Sequence, residues 1–302
     1  MGCHAEIGGY VVKVSNEELS RAIDESFVDL FSTLCTASSN STLKNEGDMI
    51  VYSSGYPNSL LNGVLASRFK PETMTKRVEH ALSFFRERRL PMTFFVGPRC
   101  TPEELDDHLQ KQGLEPGWAR PGMAINLDSI HRIPLQEGLE IQEVNDGASL
   151  EICAATFARG FGVGEDLIGW LHDLVVGYGC GPTRRWFIGF LRGKPVSTSL
   201  LVLHKGIPGI YCVATLQEAR GAGIGTALTR EPLLLAKEMR FDFAVLQSSK
   251  LGLPVYEKLG FKEYCKIRAY VWHPRKPVPD ICIECAGNQT LHLQNSRALG
   301  TK

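Results

Sequence analysis

The chain has 302 residues, and its 33 Lys and Arg residues balance 33 Asp and Glu residues. That length is enough for two domains of ordinary size. The zero net charge gives no electrostatic reason to expect a nucleic acid or an anionic membrane as a partner. Nine scattered cysteines with no signal peptide before them indicate reduced thiols and a cytoplasmic protein. No apolar run is long enough to cross a bilayer.

The first half of the chain predicts alternating helices and strands. Ser15, followed three residues later by Glu18, is a capping-box pattern, and apolar positions continue from it to Leu34. Thr101-Pro102 before two acidic residues predicts another helix start, with the hydroxyl as cap and proline at the first helical position. The other predicted elements are a polar loop over 38–45, a strand, turn and strand over 48–69, a helix over 71–89, and strands over 91–96 and 118–127.

A linker over 128–137, which contains Pro134, leads into the second half. Pro232 falls inside one predicted helix of that half and indicates a kink or an early end there. The tail from His273 is proline-rich and then polar, which predicts a flexible end. The predicted elements are strands over 139–144, 185–191, 196–204, 210–214, 241–247 and 262–272, and helices over 148–158, 165–176, 223–239 and 254–259.

Two short motifs within 211–261 carry the functional signal. Arg220-Gly221-Ala222-Gly223-Ile224-Gly225 follows a predicted strand and opens a predicted helix. The N–H groups at a helix N-terminus are unsatisfied and the helix dipole favours an anion, so glycines there allow a diphosphate to approach. Tyr256-Glu257-Lys258-Leu259-Gly260-Phe261 follows after a helix and a strand, and Tyr256 is a candidate proton donor. The structural alternatives are a tight strand-to-helix turn and a core tyrosine.

A second copy of the glycine pattern shows that the pattern alone is a weak signal. Arg159-Gly160-Phe161-Gly162-Val163-Gly164 has the same spacing, but it follows a predicted helix and has no Tyr-x-x-x-Gly-Phe at a suitable distance after it. We therefore predict that this copy is a loop between two helices.

The order of elements together with the Arg220 and Tyr256 motifs resembles the GCN5-related N-acetyltransferase (GNAT) superfamily. The resemblance covers 139–272 with motifs and the first half by element order alone. It implies an α/β (α+β) acyl-CoA N-acyltransferase fold, in which a mixed, mostly antiparallel sheet is flanked by helices, with two tandem GNAT-like domains. These domains would be a degenerate one at 1–130 and a catalytic one at 138–273, before a flexible tail at 274–302.

The resemblance also implies roles for individual residues. The pantetheine arm of acetyl-CoA would pair with free main-chain groups of Val213 and Thr215, because neighbouring strands splay in this family. Tyr256 would protonate the departing thiolate, and Ser249 stands where the family often has an asparagine that contacts the pantetheine. The diphosphate would be held by the glycine turn, in which Arg220 adds a cation and Thr226 a hydroxyl, through Gly221, Ala222, Gly223, Ile224 and Gly225.

A general base is not evident from the sequence. An alkylamine costs roughly 4.6 kcal/mol to deprotonate at pH 7, yet no Asp, Glu or His occurs in 206–216. The candidates nearest in the chain are His204, Glu165, Asp166, His172 and Asp173. No metal site is predicted, because the lone pair Cys282 and Cys285 lacks the further ligands that zinc needs.

The sequence therefore favours an acetyl-CoA-dependent N-acetyltransferase that acts on a small amine by direct attack on the thioester. Three alternatives stay open at this point. They are a non-catalytic CoA-binding sensor or scaffold, another acyl-CoA reaction such as decarboxylation, and acetylation of proteins. Cys212, on the strand beside the expected thioester, is a small core residue or, less simply, an acyl carrier.

Overall fold

The structure is a computed structural model that describes residues 14–38 and 40–274, without the side chain of Asp166. In these residues seven helices flank one sheet of eleven strands, in the order β1-β2-β3-β4-β11-β5-β10-β9-β8-β7-β6. The helices are α1 Asn16–Leu34, α2 Met74–Arg88, α3 Leu105–Lys111, α4 Gly147–Gly160, α5 Glu165–Tyr178, α6 Ile224–Glu238 and α7 Leu253–Leu259. The strands are β1 Thr42–Asn45, β2 Ile50–Ser53, β3 Asn62–Leu65, β4 Met92–Val96, β5 Glu115–Asn126, β6 Leu139–Glu143, β7 Arg184–Leu191, β8 Lys194–His204, β9 Ile207–Thr215, β10 Phe243–Gln247 and β11 Lys262–Trp272.

The two halves exchange their last strands in the middle of the sheet. The path β3–α2–β4–α3–β5 in the first half repeats as β9–α6–β10–α7–β11 in the second, and β3/β4 and β9/β10 are both parallel pairs. β5 lies between β10 and β11, while β11 lies between β4 and β5, with antiparallel pairing throughout. The hydrogen-bonded sheet thus crosses the boundary between 1–130 and 138–273, whose assignment as domains stays a prediction.

Five of the helices pack in two separate apolar clusters, one on each face of the sheet in the second half. Leu150 and Leu174, from α4 and α5, share a buried cluster with Phe27 of α1. Leu228 and Leu233 of α6 belong to a different buried cluster, which also contains Phe261. Helix α1 therefore lies with α4 and α5 on one face, and α6 with α7 on the other. The exchange of strands and this division of faces position the candidate site.

Most predicted elements are present, and the capping box at Ser15 is confirmed by both of its hydrogen bonds. The helix start at Thr101 is wrong, because Thr101 bridges to Arg68 and its hydroxyl donates to the carbonyl of Phe69. That helix, α3, begins only at Leu105. The polar loop over 38–45 contains β1, whose full pairing with β2 outweighs its polar composition.

Helix α6 runs through Pro232 to Glu238, so the early end is wrong. Leu228 and Leu233, on either side of the proline, are fully buried, and tertiary packing supplies most of a helix's stability. The predictions for 275–302, including Cys282 and Cys285, lie outside the described residues.

Candidate active site

The site begins where two parallel strands separate. β9 and β10 pair at Val245 and Gly209, and no further registered pair joins them among the described residues. Leu216 donates to the carbonyl of Val196, which makes the adjacent pair of Thr215 with Ser197 a non-hydrogen-bonded one. The N–H and C=O groups of Thr215 therefore point away from β8, toward the gap between β9 and β10.

A β-bulge reshapes β9 beside this gap. The register with β8 shifts between Thr198 and Leu200, so that two residues, Cys212 and Val213, stand opposite one. Cys212 has a φ of 48°, in the left-handed region, and its carbonyl accepts a hydrogen bond from the Thr198 hydroxyl at 3.0 Å. A non-glycine residue held there costs on the order of 1–3 kcal/mol, and such strain is concentrated at functional sites.

The Arg220 motif forms an open turn at the start of α6. Gly221 and Gly223 have φ values of 80° and 76°, and a Cβ at either would meet nothing within 4 Å. These positions require glycine for its backbone freedom and leave room beside the turn. Gly223 is the N-cap of α6 and no side chain caps the helix. The turn residues Ala222, Ile224, Gly225 and Thr226 complete this N-terminus, which is suited to an anion.

Arg220, an exposed residue, links the turn to two main-chain carbonyls. Its Nε donates to the carbonyl of Thr215 at 3.0 Å, and its Nη2 donates to the carbonyl of Gly160 at 3.2 Å. The sequence-based expectation that the main-chain groups of Thr215 are free is therefore wrong for its carbonyl. The Thr215 hydroxyl is also engaged, 2.9 Å from that of Ser197.

The second glycine pattern contacts the first. It covers the end of α4 and the loop to α5, as predicted for a loop between helices. A Cβ on Gly160 would stand 3.2 Å from Cβ of Ala214 and 3.4 Å from the amide nitrogen of Thr215. Glycine at this position therefore lets the end of α4 approach β9 closely at Ala214 and Thr215.

Tyr256 stands on α7 at the other side of the gap. Its ring packs over Gly252, where a Cβ would lie 2.7 Å from Cε2 of the ring and 3.3 Å from Oγ of Ser249. Ser249 accepts a hydrogen bond from the Gly252 amide at 3.1 Å, which fixes the turn before α7. Phe261 packs edge-on against Tyr256 at a centroid distance of 5.8 Å.

The environment of Tyr256 keeps its phenol protonated. Burial raises the pKa of Tyr256 to about 12, the charge of Arg120 opposes this rise, and Cys212 adds to it. Burial also raises the pKa of the Cys212 thiol far above its ordinary value. A protonated phenol is a donor, whereas a thiol that resists ionisation is a poor nucleophile.

Both histidines among the candidate bases named from the sequence lie beside acidic side chains. His204 at the end of β8 lies 2.8 Å from the carboxylate of Asp29. His172 lies 2.6 Å from Glu151 and 3.1 Å from Asp173. Glu165 is exposed at the start of α5, and the side chain of Asp166 lies outside the described residues. His204 thus links β8 to α1, and His172 links α5 to α4.

Sequence reasoning missed two residues of β5 that border the site, Arg120 and Pro121. Arg120 stacks on the Trp118 ring, with 4.1 Å from the guanidinium carbon to the ring centroid, and its Nε and Nη2 atoms are buried. The backbone amide of Ser248, next to Ser249, donates to the carbonyl of Pro121 at 2.9 Å. The sequence predicts a strand over 118–127, but nothing in it indicates that this strand pairs with β10.

Other features of the described residues lie apart from this site. A surface depression of about 520 Å³, lined partly by His131, Arg132 and Lys237, lies at the opposite end of α6 from the glycine turn. The described part of the chain contains no group of three or more His, Cys, Asp or Glu residues that is suited to a metal ion. Across these same ranges, no helix combines the length and apolarity that a membrane span requires.

Comparison with solved structures identifies the fold. A GCN5-related N-acetyltransferase from Kribbella flavida is similar over 84% of this chain and 95% of its own, with a TM-score of 0.64 and 16% identity. A tandem GNAT protein from the clavulanic acid biosynthesis pathway is similar over 87% and 97%, with a TM-score of 0.54 and 12% identity. A GCN5-related glucosamine N-acetyltransferase region of a fungal multi-domain GH3 β-N-acetylglucosaminidase is similar over 87% of this chain and 37% of that one, with a TM-score of 0.57 and 14% identity. No family model matches the sequence, and no curated protein matches it. The chain therefore has the GNAT fold, in the tandem form that was predicted.

Proposed function

We propose that this protein, which has the GNAT fold, is an acetyl-CoA-dependent N-acetyltransferase for a small-molecule amine. One observation carries the proposal. An uncapped helix N-terminus with a glycine turn lies at the mouth of a gap between splayed strands, and a protonated tyrosine borders the same gap. An anionic donor needs the first feature, and a departing thiolate benefits from the second.

Acetyl-CoA is placed by main-chain groups in this proposal. The amides of 221–226 bind the diphosphate, with the Thr226 hydroxyl beside them, and the N–H of Thr215 pairs with the pantetheine arm as an added strand would. Val213 packs with the α6 cluster and lies on the same side of the sheet as Tyr256. Ser249, beside the tyrosine ring, contacts the end of the pantetheine. Arg220 contributes by fixing the turn.

Chemistry then proceeds by direct attack. The neutral amine forms a bond to the thioester carbonyl carbon, the C–S bond breaks, and the nitrogen loses a proton to water. Tyr256 gives its proton to the departing thiolate and regains one from water. A thiolate with a pKa near 8.5 is already a fair leaving group, so we expect the tyrosine to contribute about 10²-fold.

The state of Cys212 favours direct attack over an acyl-cysteine intermediate. The thiolate is the nucleophilic form of cysteine, and burial raises the pKa of Cys212 well above its usual range. Transfer through this sulfur would therefore begin from a scarce species. The free thiols Cys35, Cys153 and Cys212 also support a cytoplasmic location.

The test is release of free CoA from acetyl-CoA across a panel of small amines, with the products identified by mass spectrometry. The panel includes glucosamine, because one similar structure is named for it. We expect CoA release that depends on the amine and a product heavier than the amine by one acetyl group. Binding of acetyl-CoA without release would favour a sensor. A product that has lost carbon dioxide from an acyl-CoA would favour decarboxylation, and equal CoA binding by Gly223→Glu would defeat the donor site itself.

A further inference from the structure

Aromatic side chains are concentrated on the face of the sheet that carries α1, α4 and α5. Three of the chain's four tryptophans pack in the cluster on this face. The rings form one series in each half. Phe161 contacts Phe157 at a centroid distance of 4.8 Å in the second half, and Trp118 contacts Phe95 at 5.7 Å in the first. Because the strand order is β5-β10-β9, the gap between β9 and β10 has Trp118 of β5 on its β10 side.

Phe161 stands at the β9 side of the gap. It follows Gly160, which approaches Ala214 and Thr215 closely. Its amide donates to the carbonyl of Phe157 at 2.9 Å, which fixes the end of α4. The residue is half-buried. The ring of Phe161 is therefore supported by a buried ring and still reaches the surface beside the open edge of β9.

Trp118 stands beyond the end of β10. It precedes Pro121 by three residues on β5, and the carbonyl of Pro121 accepts from the amide of Ser248. Trp118 is also half-buried, with Phe95 as a buried partner and the guanidinium of Arg120 over its ring. A molecule that enters the gap from this face therefore passes between two half-buried rings.

A third half-buried ring stands where the two halves meet. The ring of Trp170, on α5, lies 5.2 Å from that of Tyr56, in the loop between β2 and β3. Both pack against the same cluster as Phe161. Since α5 directly follows the loop that begins at Phe161, Trp170 extends the aromatic surface from β9 toward the first half.

We infer that the amine acceptor carries an aromatic ring, which is held by Phe161, Trp170 and Trp118 while the nitrogen attacks the thioester. This inference rests on the proposed function and specifies its acceptor class, an arylalkylamine. Aromatic rings attract one another in tilted or edge-on pairs with centroids about 4.5–7 Å apart. The three ring contacts already present have this geometry, at 4.8 to 5.7 Å and 35° to 49°. A sugar-like acceptor would place its hydroxyl groups against rings, where they lose hydrogen bonds to water.

The apolar surroundings also favour the reactive form of the amine. Burial raises the pKa of Tyr256, on one face of the sheet, and of Tyr178, on the other, each to about 12. An environment that disfavours a phenolate also disfavours an ammonium ion, so burial lowers the pKa of an amine. Neutral nucleophile can therefore form at a site where His204 and His172 lie beside acidic side chains.

The experiment compares matched acceptors on the wild type, Phe161→Leu, Trp170→Leu and a control, Phe84→Leu. Leucine keeps an apolar side chain, so each variant removes the ring alone. Phe84 is likewise half-buried and contacts a ring, that of Phe85 at 5.0 Å, but it lies on α2 against a different cluster. The acceptors are phenethylamine, 2-cyclohexylethylamine and propylamine, with glucosamine as the polar comparison. Steady-state CoA release gives kcat and KM for each.

We expect the wild type and Phe84→Leu to prefer phenethylamine to propylamine by about 100-fold in kcat/KM, and to 2-cyclohexylethylamine by about 3- to 10-fold. Phe161→Leu and Trp170→Leu should each reduce the first ratio about 10-fold, mostly through KM for the amine. An unchanged KM for acetyl-CoA shows that a variant is folded, and Phe161→Leu preserves the test if Trp170→Leu does not fold.

Three results would overturn the inference while the proposed function stands. The first is equal or better turnover of propylamine or glucosamine by the wild type. The second is equal turnover of 2-cyclohexylethylamine and phenethylamine, which would mean that only apolar bulk is recognised. The third is an undiminished preference for phenethylamine in both Phe161→Leu and Trp170→Leu. Failure of every acceptor to release CoA would instead refute the proposed function, and this inference with it.

Discussion

The side chain of Arg220 donates to the carbonyl of Gly160 across 3.2 Å and so joins the two glycine patterns of the sequence. The same guanidinium bonds the Thr215 carbonyl at 3.0 Å. One arginine therefore fixes the donor turn, the open edge of β9 and the loop between α4 and α5 relative to one another. Two nitrogens of the guanidinium donate to protein carbonyls. We therefore expect Arg220 to affect donor binding through the shape of the turn.

Replacing Arg220 by Lys separates these two roles. A lysine keeps the charge but does not span two carbonyls as a planar guanidinium does. We expect KM for acetyl-CoA to rise about 10-fold in Arg220→Lys, as for loss of one hydrogen bond to a charged group. Arg132→Lys, at an exposed ion pair near the end of α6, serves as control. A wild-type KM in Arg220→Lys would mean that charge alone matters.

Gly223 and Gly193 allow backbone strain to be separated from donor binding. Both have positive φ, 76° and 75°, and a Cβ on either meets nothing within 4 Å. Gly223→Ala and Gly193→Ala should each lower the free energy of unfolding by about 1 kcal/mol. Only Gly223→Ala should also raise KM for acetyl-CoA, because Gly193 lies in the hairpin between β7 and β8. Chemical denaturation and CoA-release kinetics measure both effects. An equal change in KM for the two variants would contradict the donor site.

The success of sequence reasoning here depended on whether a feature is local. The capping box at Ser15 and the glycine turn at Gly223 each depend on a few adjacent residues, and both are found in the structure. The position of Thr101 depends on Phe69, which is distant in sequence. The surroundings of Arg120 depend on the pairing of β5 with β10 and β11. Periodicity shows that a strand exists, but it does not show which strand lies beside it.

Tyr256→Phe tests the proton donor directly. Removing the hydroxyl leaves the ring packed on Gly252 and Phe261, so we expect little change in thermal stability or in KM for acetyl-CoA. The value of kcat should fall about 10²-fold, the usual contribution of one general acid. Tyr264→Phe, where the ring packs with Ile23 of α1 on the other face of the sheet, is the matched control and should retain full turnover. An unchanged kcat in Tyr256→Phe would exclude the acid role.

The raised pKa of Tyr256 predicts how the rate depends on pH. With a folded-state pKa of about 12, the phenol stays protonated through pH 10, so no basic limb from this residue is expected below that pH. The value of kcat/KM for a given amine should rise with pH as the free amine forms, and Tyr256→Phe should follow the same profile at a lower level. A wild-type maximum near pH 8 that is absent from Tyr256→Phe would contradict this assignment.

The same shift has a consequence for stability at high pH. An unfolded tyrosine ionises near pH 10, whereas folded Tyr256 holds its proton to about pH 12. The unfolded state therefore loses protons first as the pH rises, so the contribution of this tyrosine is complete below pH 10 and is lost between pH 10 and 12. Activity should accordingly be measured at or below pH 10, with circular dichroism at each pH to show that the protein is folded.

The exchange of β5 and β11 predicts that the two halves unfold together. Gly122 lies at this crossing, and a Cβ there would stand 2.6 Å from both Sγ of Cys265 and Cγ2 of Ile23. Gly122→Ala should therefore cost about 1–3 kcal/mol, the usual cost of overpacking. Because this strand of the first half pairs on both sides with strands of the second half, β10 and β11, denaturation followed by circular dichroism, by tryptophan fluorescence and by loss of CoA release should show one coincident transition, shifted as a whole. Gly147→Ala, where a Cβ meets nothing within 4 Å, should leave the midpoint within about 0.5 kcal/mol of the wild type. Two separate transitions, with only one of them shifted by Gly122→Ala, would show that the halves are independent despite the shared sheet.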